Sequence, residues 1–163
     1  MVRFAAAVGA ATAAAIWQAL GPGLFPGPVI VAGRTLDAPS VVDGDTLKLD
    51  GRSIRLYGID APELAQTCDG WPGGEIARRA LADIVARRPV ECRRVTTDRY
   101  GRVVAVCRAA GEDVSATLVR SGMAWAYETY TLRYLLPEWQ AQADGLGVHA
   151  HRCASPAAWR RAR

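Results

Sequence analysis

From Thr35 onward the chain alternates apolar and polar positions in short stretches, Thr35 to Val42, Thr46 to Leu49 and Arg52 to Tyr57, with the period of half-buried strands. The last two meet at Asp50-Gly51, a pair suited to a two-residue hairpin turn, so the three are expected to form a meander. The period then lengthens. Between Glu75 and Arg87 it places Ile76, Ala77, Ala80, Leu81, Ile84 and Val85 on one helical face, with Arg78, Arg79, Asp83 and Arg87 mostly opposite. Arg88-Pro89 should end that helix, since the residue before a proline is pushed out of helical geometry. Val90 to Val95 and Val103 to Arg108 read as two further strands around a turn at Asp98 to Gly101. Asp113 is placed to cap a short helix, Val114 to Ser121, that Gly122 stops. A last helix, roughly Leu132 to Asp144, ends at Gly145, with Pro137 tolerable only in its first turn.

Five strands with about three helices, one of them inserted between the third and fourth strands, predict an α+β fold: a five-stranded Greek-key β-barrel of the OB type. At 163 residues, half of them apolar, the chain is expected to hold one domain, from 34 to 153, with its own core. Residues 154 to 163 read as an arginine-rich C-terminal tail, solvated from Trp159 to Arg163. The beginning is different. Phe4 to Gly33 carries no charge, and its first part, Phe4 to Leu20, is an alanine-rich apolar run behind Arg3. At roughly 1.5 Å per residue that run reaches about 25 Å, slightly short of the ~30 Å hydrocarbon thickness. Gly21, Pro22, Gly23, Pro26, Gly27 and Pro28 then break any helix. Residues 1 to 33 therefore read as an export signal with a Gly/Pro spacer, the alternatives being an uncleaved anchor or a buried apolar arm. The protein is expected to be periplasmic or secreted, or membrane-anchored on the outer side if the segment is retained.

Four cysteines, Cys68, Cys92, Cys107 and Cys153, all follow the export-like segment. An even count in an exported chain points to two disulfides with three possible pairings; buried free thiols are the cytosolic alternative. Cys92 and Cys107 lie on neighbouring strand-like runs joined by a tight turn, which favours their pairing and leaves Cys68 for Cys153. Net charge is +4, mildly basic, and Lys48 is the only lysine among the basic residues. Arginine can grip a phosphate through two parallel hydrogen bonds, which lysine cannot.

Three stretches carry the chemistry: Val42-Asp43-Gly44-Asp45-Thr46, the segment from Ile54 to Glu63, and Thr97-Asp98-Arg99-Tyr100-Gly101-Arg102. Asp45, Asp60 and Glu63 offer hard oxygens to a divalent ion, and calcium has the large, forgiving shell such a half-open set suits. Zinc would favour cysteine or histidine, absent from these stretches. Arg55 and Arg102 present planar forks for phosphate oxygens. Arg55 and Asp60 are an odd number of residues apart, so they meet only if the strand bends, and Gly58 permits that. Each piece alone has a plain structural reading as a turn or a surface charge. A metal-binding tail at His149, His151 and Cys153 lacks further ligands in the surrounding sequence.

Asp-Gly-Asp-Thr, then Arg-x-x-x-x-Asp-x-Pro-Glu, then Thr-Asp-x-Tyr-Gly-Arg, in this order, resembles the staphylococcal nuclease family over about Val41 to Val148. The stretch Ala116 to Gly122 is similar to that family's second helix. The resemblance implies a calcium-dependent endonuclease on an OB-fold, cutting DNA and RNA to leave 3′-phosphates. By motif, Asp45, Asp60 and the carbonyl of Ala61 would bind Ca2+, Glu63 would orient or deprotonate the attacking water, and Arg55 and Arg102 would neutralise the transition state. Ala61 replaces the threonine of the best-known members, at no cost to a carbonyl ligand. Tyr100 and Tyr127 match tyrosines beside the bound nucleotide, and Tyr130 matches less well. The implied substrate is DNA or RNA, preferably single-stranded, bound by a monomer. The competing reading is a catalytically inactive OB module that binds single strands or a protein partner in the cell envelope. A third is an accessory protein of envelope polysaccharide processes. Retained carboxylates argue against a pure binder, because they repel the polyanion.

Overall fold

The computed structural model describes residues 30–32, 39–49 and 51–163. The expected signal run, most of the Gly/Pro spacer and Asp50 lie outside them. Strands β1 (Ile30–Ala32), β2 (Ser40–Asp43), β3 (Thr46–Leu49), β4 (Arg52–Leu56) and β5 (Ile59–Asp60) precede helix α1 (Gly73–Val85). Then come β6 (Val90–Thr97), β7 (Val103–Ala109), β8 (Glu112–Asp113), α2 (Val114–Arg120), β9 (Trp125–Ala126), α3 (Leu135–Ala143) and α4 (Pro156–Arg161). The five expected strands are β2, β3, β4, β6 and β7, and the fold is α+β of the OB type.

Strands β2, β3 and β4 form the antiparallel meander, and β4 then pairs in parallel with β7. That parallel pairing needs a long crossover, and α1 and β6 supply it. The principal sheet runs β1-β6-β7-β4-β3-β2, with β8 on β7, while β5 and β9 form a small sheet of their own. Two expectations need correction. The end of the region read as spacer is an edge strand, Ile30 to Ala32 lying against Arg93 to Glu91. The expected solvated tail contains a fourth helix, α4, whose Ser155 side chain accepts from the Ala158 N–H with Pro156 in the first turn. Both are ordinary start signals.

Every second residue of β3 and β4 enters the core: Leu47 and Leu49, Ile54 and Leu56 are at most 2% exposed. Helix α1 covers this layer with Ala77, Leu81 and Val85, a narrower stripe than the periodicity alone predicts; Ile76, Ala80 and Ile84 are only half buried. Asp113 caps α2 as expected, accepting from the Ala116 N–H at 3.1 Å. Cys92 faces Cys107 across β6 and β7 and is bonded to it, and Cys68 is bonded to Cys153, the pairing favoured above.

Two glycines shape the region that follows β4. Gly58 has φ +75, and a Cβ there would stand 2.5 Å from Thr131 Cγ2 and 2.8 Å from Tyr134 Cε2. The bend it makes separates β4 from β5 and turns Asp60 back toward Arg55. Gly74, in the first turn of α1, lies so close to the backbone of Glu63 and Leu64 that a Cβ would collide with the Glu63 carbonyl. Helix α1 thus braces the segment that carries Glu63. No helix among the described residues is long and apolar enough to cross a membrane.

Candidate functional site

Asp45 sits in the tight turn between β2 and β3, where its N–H donates to Asp43 Oδ1 at 3.1 Å. Gly44 lets this turn approach the next layer: a Cβ would stand 2.7 Å from Ala61 Cβ and 2.8 Å from Ala77 Cβ. The result is a direct link between segments far apart in sequence, the Ala61 N–H donating to Asp45 Oδ2 at 2.8 Å. The other oxygen, Oδ1, accepts from Thr46 Oγ1 at 3.1 Å and from Arg55 Nη1. Register does the rest, because Thr46 lies opposite Arg55 across β3 and β4.

Arg55 spans both acids. Its Nη2 donates to Asp60 Oδ1 at 2.6 Å and to the Ile59 carbonyl at 3.3 Å. The Arg55 side chain is 22% exposed and that of Asp45 only 3%. Burial pushes the Asp45 carboxyl up to about 7; Arg55 opposes that rise, while Asp43 and Asp60 add to it. For Arg55, burial acts to lower the pKa, but Asp45 and Asp60 outweigh it and hold the guanidinium charged.

The Asp45 shift has a definite sign in stability. Its folded value, about 7, lies above the ordinary 3.8, so the folded state binds the proton more tightly than the unfolded chain does. That contribution is fully present below 3.8 and is lost as pH rises to about 7. In chelator-treated protein, Asp45→Asn should therefore flatten the decline of Tm across this window relative to the unsubstituted protein. Parallel Tm curves for the two proteins would contradict this burial effect.

Glu63 follows β5 in a loop closed by Gln66. The Glu63 N–H donates to Gln66 Oε1 at 3.1 Å, and the Gln66 N–H returns to the Glu63 carbonyl at 2.7 Å. Gln66 is 1% exposed, and its Nε2 donates to the Ala154 carbonyl at 2.7 Å, tying the loop to the far end of the chain. The Glu63 carboxylate is paired with Arg160 Nη1, a partner from α4. Arg160 Nη2 also lies 3.8 Å from Asp60 Oδ2.

Arg102 stands apart. Its Nε donates to Asp98 Oδ2 at 2.7 Å, and Asp98 Oδ1 accepts the N–H groups of Tyr100 and Arg102 at 2.9 Å each, which folds the turn. The guanidinium lies 5.6 Å from the ring centre of Tyr100, itself 68% exposed. No described contact joins Arg102 to Asp45, Asp60 or Glu63. Its neighbour Val103 pairs with Ile54 and Val104 with Arg55. Continued strand alternation puts Arg102 and Arg55 on one face, about 7 Å apart along the strands. An open cleft of about 460 Å³ lies beside Arg102, lined by Arg52, Ser53, Tyr100, Gly101, Arg102 and Val103, and Arg55 is not among its walls. Tyr127 is anchored by its N–H on the Gly58 carbonyl at 2.8 Å, and its ring packs against Tyr130 at 5.0 Å.

The residues that could hold a divalent ion are Asp45, Asp60 and the backbone at Ala61. Among the described residues no cluster of three or more His, Cys, Asp and Glu side chains is drawn together as a metal cage. Arg55 bridges the two aspartates instead, and Arg160 engages Glu63. The donor set nevertheless fits a hard cation in kind, since all its donors are oxygens. The C-terminal histidines form no such site: His151 stacks on Trp71 at 4.6 Å, and Cys153 is in a disulfide. The sequence patterns missed Gln66, Gly74 and Arg160. Only α4 had a readable signal, Ser155 followed by Pro156.

The staphylococcal nuclease homologue family model matches residues 53–149. An uncharacterized endonuclease of Haemophilus influenzae is 35% identical over 136 residues, spanning 78% of this chain and 74% of that protein. The succinoglycan biosynthesis protein ExoI of Rhizobium meliloti is 37% identical over 128 residues, 71% of this chain and 67% of its own. A micrococcal nuclease of Shigella flexneri is 35% identical over 140 residues, 75% and 78% of the two chains. With the convergent aspartates, Arg55 and the braced Glu63 segment already in place, these matches establish that the chain belongs to the staphylococcal nuclease family.

Proposed function

We propose that the protein is a calcium-dependent endonuclease that hydrolyses single-stranded DNA and RNA with little sequence preference, as a monomer, leaving 3′-phosphates. One observation carries the reading: Asp45, Asp60 and Arg55, from two separate motifs, meet in one ion-paired cluster, and Arg160 links Glu63 to it. Asp45, Asp60 and the Ala61 carbonyl would hold Ca2+, which when bound supplies positive charge to a phosphate oxygen. Glu63 accepts a proton from the attacking water as its oxygen bonds to phosphorus. Arg55 then turns from the aspartates toward the equatorial oxygens, where negative charge gathers and its hydrogen bonds strengthen. Arg102 stabilises the departing 5′-oxygen, which takes a proton from solvent water as its bond to phosphorus breaks. Tyr100 and Tyr127, both exposed, offer faces on which a base can stack.

Two disulfides accord with an oxidising compartment, so we place the protein in the periplasm or outside the cell, or anchored on the outer side. Cleavage of single-stranded DNA by the purified protein is expected to stop with a calcium chelator and return with added calcium. Chelator-resistant cleavage would refute the metal requirement. The likeness to a succinoglycan biosynthesis protein supports a second reading, work in polysaccharide assembly. Full calcium-dependent turnover of DNA would leave that reading without support, and no cleavage under any metal would favour it.

A further inference from the structure

The C-terminal segment is built into the rim of the site. Cys153 is bonded to Cys68, just beyond the Glu63 loop, and the Ala154 carbonyl accepts from the buried Gln66 amide at 2.7 Å. Trp71 and His151 stack nearly parallel, at 8° between planes. Ser155 then starts α4, and that helix delivers Arg160 to Glu63 and toward Asp60. This segment lies beyond the stretch matched by the family model, which ends at residue 149.

The state of the three arginines differs in a way that matters. Arg55 has both terminal nitrogens committed to aspartates and is 22% exposed. Arg102 has its Nε committed to Asp98. Arg160 makes a hydrogen bond through Nη1 alone, its Nη2 being too far from Asp60 to bond, and its side chain is 52% exposed. One terminal nitrogen of a planar donor fork therefore stands without a hydrogen bond among the described contacts, on a half-exposed side chain beside the carboxylate that would handle the water. Asp60 and Glu63, the two acids nearer the surface, repel a polyanion, and a fork on a flexible stem offsets that repulsion while grasping oxygens of a phosphate.

We propose that Arg160 is a third phosphate-contacting arginine of this site, resting on Glu63 in the free protein and passing to a non-bridging oxygen of the nucleic acid when it binds. The Cys68 to Cys153 disulfide is the tether that keeps it within reach. Moving to the phosphate releases Glu63 to the water, so a single guanidinium both recruits substrate and uncovers the base. The proposal rests on the nucleic-acid reading above.

The test separates the two. Binding of a fluorescent single-stranded oligodeoxynucleotide is measured by anisotropy over a salt series in chelator-treated protein, where cleavage does not interfere. Arg160→Ala should weaken binding on the order of tenfold, the loss of one charge-assisted hydrogen bond. The slope of log K against log salt should also shrink by about 0.7, one phosphate contact on a single strand. The exposed neighbour Arg161 serves as control, and Arg161→Ala should leave slope and affinity near those of the unsubstituted protein. With calcium restored, the loss in Arg160→Ala should fall on KM, and Arg160→Lys should recover part of it. Unchanged slope and affinity in Arg160→Ala, or tighter binding, would overturn the proposal, tighter binding showing Arg160 to be a plug. If the unsubstituted protein neither binds nor cleaves the strand, the nucleic-acid reading itself fails.

Discussion

Arg55→Ala is expected to cut nuclease activity by about 100-fold to 1000-fold and to destabilise the fold together. Two carboxylates share this guanidinium, and one of them, Asp45, is almost wholly desolvated. Removing one partner of a buried ion pair costs about 3 kcal/mol because the other charge stays buried and uncompensated. Part of that loss is recoverable, since Asp45 can take up a proton, so the variant should regain Tm as pH falls toward 3.8. The catalytic loss has a separate source. A preorganised donor aimed at developing negative charge contributes on the order of 100-fold to 1000-fold in rate. Thermal unfolding and single-turnover cleavage, measured on one preparation, read the two effects independently. A stable Arg55→Ala protein with near-normal turnover would show that the guanidinium is neither a structural bridge nor a transition-state ligand.

Glu63→Gln should produce the second large effect, with the opposite pattern. The Glu63 side chain is 35% exposed and its loop is held by backbone contacts with Gln66 and by the closeness of Gly74, none of which needs the carboxylate. Tm should therefore change little. Turnover should drop about 100-fold to 10,000-fold, the range for a positioned general base, while oligonucleotide affinity stays comparable. Amide and acid are nearly equal in shape, so the change isolates proton acceptance. Near-normal turnover would remove Glu63 from water activation and leave the Arg160 ion pair as its only visible role.

The strands and helices were readable because their signals are local. Asp113 before Val114 and the alternation of Leu47, Leu49, Ile54 and Leu56 each set a boundary or a face through neighbours in the chain. Cys92 opposite Cys107 could be anticipated on the same ground, two strand-like runs around a short turn. The bend at Gly58 was also legible, because an odd spacing between Arg55 and Asp60 demanded one. The exposure of Arg160 to Arg163 is legible in their charge, but helix α4 and its reach back to the site are not, because their partners are distant in sequence. The anchors are Cys68, Gln66 and Glu63, and nothing local to residues 154–163 names them.

The sequence by itself determined the kinds of chemistry available: hard oxygens in two short motifs, arginine forks at set spacings, and an alternation that builds a curled sheet under one helix. Order along a chain encodes periodicity and turn geometry, which act over a few residues. Only the tertiary structure decided who touches whom. Packing of the Gly44 turn against Ala61 and Ala77 brings Asp45 to Arg55 and Asp60, and a disulfide between cysteines 85 residues apart in sequence brings Arg160 to Glu63. Those contacts arise from close packing and desolvation across long loops, and their charge balance, not composition, sets which acid is strained and which arginine is free.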